Sequence, residues 1–104
     1  MPRLLQIDFP LDGPWGEEQA GAFRELAELI AATPGLRWKI WTENPDEGRA
    51  GGIYLFDDDA TLRSFRDEHT ARLRGFGVQD IRALTFDVNE TLTAVTRGPL
   101  ATAT

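Results

Sequence analysis

The sequence predicts an α+β domain in which a four-stranded antiparallel sheet carries two helices on one face, and three observations lead there. Four short stretches are apolar or alternate at strand spacing, two longer ones repeat their apolar residues at helical spacing, and the order is strand, helix, strand, strand, helix, strand. Right-handed crossovers with that order put both helices on the same side of the sheet. The 104 residues suit one domain, 1–104, large enough to bury a core without disulfide staples.

Residues 3–9, RLLQIDF, form the first expected strand, ended by Pro10 and the turn formers Asp12, Gly13 and Pro14. From Trp15 to Ala32 the spacing predicts one helix. Its buried stripe is Phe23, Leu26, Ala27 and Ile30, and Glu17 and Glu18 lie in the first turn, where the helix dipole favours acids. Thr33, Pro34 and Gly35 stop it, because proline drives the residue before it out of helical geometry.

The segment Gly35–Phe56 is the centre of the fold, two strands joined by an acidic turn over Asn44–Gly48. In GLRWKIWTE, strict alternation puts Leu36, Trp38 and Ile40 on one face and Arg37, Lys39 and Trp41 on the other. We assign Trp38 to the helix side and Trp41 to the opposite face or its rim, on the assumption that no bulge interrupts the strand. Gly51 and Gly52 either leave open space beside Tyr54 or mark a strand irregularity. Asp57, Asp58 and Asp59 then offer an N-cap for a second helix reaching about Arg74, ended by Gly75 and Gly77. Its buried stripe is Leu62, Phe65, His69 and Leu73, so the only histidine stands where an apolar residue belongs. Val78–Val88 is the last strand, and the tail from about residue 96 is expected to be flexible.

Composition narrows the chemistry. With no cysteine there is no disulfide, thiolate metal site or thiol nucleophile. Seventeen acidic against eleven basic side chains give a net charge of -6, which disfavours nucleic acid and anionic membrane as partners. Neither a membrane-spanning run nor a signal peptide is evident, so a soluble, cytoplasmic protein is expected. No metal site is expected, because the one histidine leaves only carboxylates, and their clusters at Asp46–Glu47 and Asp57–Asp59 read as a turn and a helix start. No phosphate loop, nucleophile elbow or dinucleotide fingerprint occurs. The sheet face away from the helices has no third helix to cover it, which predicts a homodimer through that face.

The segments LLQ at 4–6, GPWG at 13–16, LRWKIWTE at 36–43, AGGIYLF at 50–56, HTARL at 69–73 and FDVNE at 86–90 resemble the YdhR-type mono-oxygenases of the dimeric α+β barrel superfamily. The resemblance spans roughly residues 3–95. It implies a ferredoxin-like βαββαβ protomer dimerised through its sheet. It also implies oxidation of a small aromatic or quinol-type substrate by molecular oxygen without a cofactor, in a pocket between helices and sheet. Two alternatives stand beside it: a non-catalytic small-molecule-binding or stress-associated dimer, and a haem-binding or haem-degrading protein like the superfamily members that ligate iron through a helix histidine. Against haem, the first strand offers Gln6 and no asparagine.

Within this frame His69 and Arg72 are the expected catalytic pair. His69 accepts a phenolic proton or orients the substrate, and Arg72, one turn on, stabilises a phenolate. The plain alternatives are a core histidine satisfied by a neighbouring carbonyl or tyrosine, and an arginine covering apolar carbon. Trp38, Tyr54, Trp41 and Phe65 are the expected substrate-binding residues. Asp8, Lys39, Asp87 and Asn89 fall at the rim, where salt bridges or strand-edge hydrogen bonds account for them.

Overall fold

A computed structural model describes residues 1–101. Four strands, β1 (Arg3–Pro10), β2 (Leu36–Asn44), β3 (Arg49–Phe56) and β4 (Arg82–Asp87), form one antiparallel sheet in the order β2-β3-β1-β4. Helices α1 (Gly16–Ala22), α2 (Arg24–Ala31) and α3 (Asp59–Gly75) pack on one face, and a short α4 (Glu90–Val95) comes after β4. The architecture is the expected ferredoxin-like one. Its core lies between sheet and helices, where Leu5, Ile7, Tyr54 and Phe56 from the sheet meet Ile30, Leu62, Phe65 and Leu73. Gly51 lets β1 and β3 approach, since a Cβ there would come within 1.9 Å of the Ile7 carbonyl oxygen.

Four details depart from the sequence reading. The expected helix over 15–32 is two helices that meet at Phe23, whose backbone (φ -106°, ψ 13°) leaves helical geometry. Gly21 weakens the helix just before the break, and the Phe23 ring turns to stack on Trp41, with centroids 6.4 Å apart. The stripe itself holds, with Phe23, Leu26, Ala27 and Ile30 all sheltered, and Gln19 of α1 is buried as well.

The last strand begins at Arg82 rather than Val78. Val78 N–H donates to the Leu73 carbonyl (3.0 Å) and so closes the C-terminus of α3, and Asp80 turns the chain at φ 52°. A helix absent from the expectation, α4, starts at Asn89, whose side chain caps it by accepting from the Leu92 N–H (3.1 Å). Beyond it, residues 96–101 return to β2, where the Trp38 indole donates to the Pro99 carbonyl (2.8 Å) and Arg37 donates to that of Leu100.

The fourth departure decides the site. A bulge sets both Leu36 and Arg37 against Phe56, so the pairing runs Leu36 with Phe56, then Trp38 with Leu55. Parity is inverted from that point. Lys39 and Trp41, paired with Tyr54 and Gly52, face the helices, and Trp38 and Ile40 face away.

Ionic contacts then fasten the frame. The Glu43 carboxylate accepts the Gly16 N–H with both oxygens at 3.1 Å, tying β2 to the start of α1. On the outer face, Asp8 bridges Arg49 (2.5 Å) and Arg82 (2.9 Å), joining three strands. Partial burial alone would raise its pKa, but the hydrogen bonds from Arg82 and Arg49 prevail and hold the carboxyl below its ordinary range.

Candidate functional site

A cavity of about 750 Å³ opens between the sheet and the helices. Its walls are mainly apolar: Phe9 and Leu11 from the first strand and its turn, Phe23, Leu26 and Leu29 from the α1/α2 side, Trp41 and Ala50 from the sheet, and Leu73, Phe76 and Val78 at the end of α3. Polar groups are few and gathered. Lys39 and Tyr54 rise from the sheet, His69 and Arg72 descend from α3, and Gln19, steadied by its Nε2 donating to the Pro14 carbonyl (3.1 Å), and Glu25 complete the set. The chain contains one histidine, one tyrosine and one lysine, and all three line this cavity.

His69 is 2 % exposed and sits between two partners. Phe65 stacks on its ring at 4.9 Å and 18°, and Arg72 Nη1 lies 2.8 Å from Nδ1. A guanidinium has only donors, so Nδ1 must accept and the ring hydrogen resides on Nε2. Nε2 makes no hydrogen bond among the described residues. Burial first, then the charges of Lys39 and Arg72, lower the His69 pKa to about 4. The ring is therefore neutral near neutrality and a donor toward the cavity. Arg72 is itself held by Glu68 at 3.1 Å.

Lys39 is the residue the sequence reading placed at the rim and the structure places inside. Its Nζ stands 3.2 Å above the centre of the Trp41 ring and 4.7 Å from that of Tyr54. Gly52 makes room, since a Cβ there would meet Lys39 Cε at 2.4 Å. Burial lowers the amine to about 7, and burial likewise raises the Tyr54 phenol well above its usual range, with the Arg72 charge opposing.

Of the expected site residues, His69, Arg72, Tyr54 and Trp41 meet at the cavity. Phe65 lies behind His69 as core, and Trp38 is on the outer face, its indole engaged by the tail. The bulge is the physical reason for Trp38, because it reverses every side chain after Arg37. Asp87 pairs with Arg3 (2.5 Å), and Asp8 and Asn89 are taken up by the contacts above. Lys39, expected at the rim, and Phe23, expected only in the helix stripe, join the cavity wall, and Gln19 was not foreseen. One signal for Lys39 was legible, a single lysine in a chain that otherwise uses ten arginines.

A haem ligand fits His69 poorly. Iron bound at Nε2 needs the ring hydrogen on Nδ1, donated to a carbonyl or carboxylate, whereas Nδ1 here faces the Arg72 guanidinium. Among the described residues no group of three or more histidine, cysteine or acidic side chains is placed to hold a metal ion, and no helix is long and apolar enough to cross a membrane.

The fold is thus a ferredoxin-like α+β one, its sheet and helix layer enclosing an apolar chamber with a few convergent polar groups. The chain belongs to the family described as "Putative mono-oxygenase ydhR", whose model matches residues 4–99. Among solved structures it is similar to a variant of SnoaB, a cofactor-independent oxygenase from Streptomyces nogalater, at a TM-score of 0.62 and 18% identity over 88% of this chain and 96% of that one. It is also similar to the ActVA-Orf6 monooxygenase of Streptomyces coelicolor in complex with nanaomycin D, at a TM-score of 0.58 and 20% identity over 84% of this chain and 87% of that one. No curated protein matches the sequence.

Proposed function

We propose that the protein is a cofactor-independent mono-oxygenase of a small aromatic or quinol-type substrate, acting as a homodimer. The observation that carries this reading is the apolar chamber into which the only histidine, tyrosine and lysine of a mono-oxygenase-family chain converge. The apolar chamber has room for a flat ring system against the wall that Phe23, Leu26 and Trp41 form, and Nε2–H of His69 and the Tyr54 hydroxyl are available to its oxygens. In such a reaction a ring-flanked CH₂ becomes a carbonyl, one atom of O₂ enters the substrate and the other leaves as water. All four electrons that reduce O₂ come from the substrate, so no external reductant is consumed. His69 and Arg72 serve to hold the substrate oxygen and the negative charge that develops on it.

The homodimer rests on the outer face. Ile40, Leu84 and Phe86 are 53, 42 and 44 % exposed there, and Leu92 and Val95 of α4 are exposed as well. A second copy across this face buries them.

Oxygen-electrode uptake with anthrone-type and quinol substrates tests the activity. Substrate-dependent uptake, with the carbonyl product formed at one per O₂, is expected. Tight binding of these compounds with no uptake would leave a non-catalytic binding protein instead.

A further inference from the structure

The chain's basic residues divide sharply. Eight of the ten arginines pair with carboxylates, Arg72 of the cavity wall among them. The single lysine is set into the cavity and forms no ion pair among the described residues. The difference between the two residue types matters at such a place, because a guanidinium stays charged and an amine in an apolar setting can be neutral.

The groups facing Lys39 come from every element around the chamber: Trp41 from its own strand, Tyr54 from β3, His69 and Arg72 from α3, and Gln19 and Glu25 on the helical wall opposite. Among these, His69 Nε2–H and Arg72 are donors, and no carboxylate of the described residues is within ion-pair distance of the amine. The Trp41 face, 3.2 Å from Nζ, is the group positioned to favour an ammonium. The described site therefore contains one amine, an aromatic face placed to favour the ammonium it would become, and no anion paired with it, the Glu25 carboxylate standing on the helical wall.

From this geometry we propose that Lys39 takes the proton of an acidic hydroxyl on the ligand, a phenol or an enol, and remains beside the resulting oxyanion as its counter-ion. The inference rests on the reading of the cavity as an aromatic-substrate site and assigns it a chemical class: hydroxyarenes and enols bound as their anions. In the step an O–H bond breaks, an N–H bond forms on Nζ, and the electron pair stays on oxygen. No oxidant is needed until O₂ withdraws electrons from the anion. His69 and Arg72 then hold the oxyanion from the other side. Burial that lowers the amine to about 7 makes it a proton acceptor near neutrality.

The probe is para-nitrophenol, whose anion is yellow, added to wild type, Lys39→Met and Lys39→Arg, each checked for folding by circular dichroism. About one pH unit below the phenol's own titration, where roughly a tenth of the free phenol is anion, binding to wild type is expected to raise the anion fraction of the bound phenol at least fivefold. Lys39→Met binds it as the colourless neutral form and Lys39→Arg restores the colour. About one unit above the amine's titration, calorimetry in buffers of different ionisation enthalpy is expected to show uptake of nearly one proton by wild type and none by Lys39→Arg. Colour unchanged by Lys39→Met, or no proton uptake by wild type, overturns this inference while leaving the aromatic site in place. A wild type that binds no phenol in either state overturns the aromatic reading and this inference with it.

Discussion

The Lys39 amine lies 3.2 Å over the ring of Trp41, two residues on in the same strand, and both point to the helices only because a bulge precedes them. This pairing places a titrating amine against an aromatic face instead of in water, and it has a consequence for stability. Lys39 titrates near 7 when folded and near 10.5 when unfolded, so between those values the unfolded chain holds the extra proton. Stability rises with pH across that window, by up to about 1.4 kcal/mol per unit. Urea unfolding from pH 7 to 10 should show the rise in wild type and lose it in Lys39→Met.

His69 has the same sign in a lower window. Its folded pKa of about 4 lies below the ordinary 6.5, so as pH falls from about 6.5 to about 4 the unfolded chain takes up the proton first and stability is lost. The loss reaches at most roughly 3 kcal/mol. In His69→Leu this part of the acid sensitivity should vanish, as read from denaturant midpoints across the window.

The two tryptophans should separate by function. Trp41→Ala removes a cavity wall and its stacking with Phe23, and should weaken binding of flat aromatics by about tenfold. Trp38→Ala should leave that affinity unchanged and instead free the tail from its 2.8 Å hydrogen bond, seen as faster proteolysis after residue 95.

Gly52→Ala tests how tightly the amine is placed. The new Cβ meets Lys39 Cε at 2.4 Å, the movable end of a side chain, so the protein folds and the amine shifts. Reductive ¹³C-methylation labels only Lys39 and the N-terminus, and the Lys39 signal should titrate closer to 10.5 in the variant than in wild type.

Ile40→Asp and Phe86→Asp put charges on the outer sheet face. If a second copy covers it, light scattering should show the wild type as a dimer over a wide dilution range and either variant as a species of 11.6 kDa. A wild-type monomer would remove the homodimer.

The sequence alone determined the local pattern and the elements built from it. The order of the four strands and the two helical stretches between them, the α2 stripe at Leu26, Ala27 and Ile30, an acidic cap within Asp57–Asp59, and the α3 stripe with His69 in it were legible, because each depends on residues a few positions apart. Tertiary structure decided which face each residue of β2 presents. The bulge at Leu36 and Arg37 arises from pairing with Phe56, twenty residues away, and one inserted residue exchanges inside for outside along the rest of the strand. Alternation therefore put Trp38 in the cavity and Lys39 and Trp41 on the far side, and the sheet reversed all three. The helix break at Phe23 and the anchoring of the tail on Trp38 likewise depend on contacts between distant segments. Periodicity reports only what neighbours along the chain share, whereas a site assembled from β2, β3 and α3 is set by how those elements register against one another.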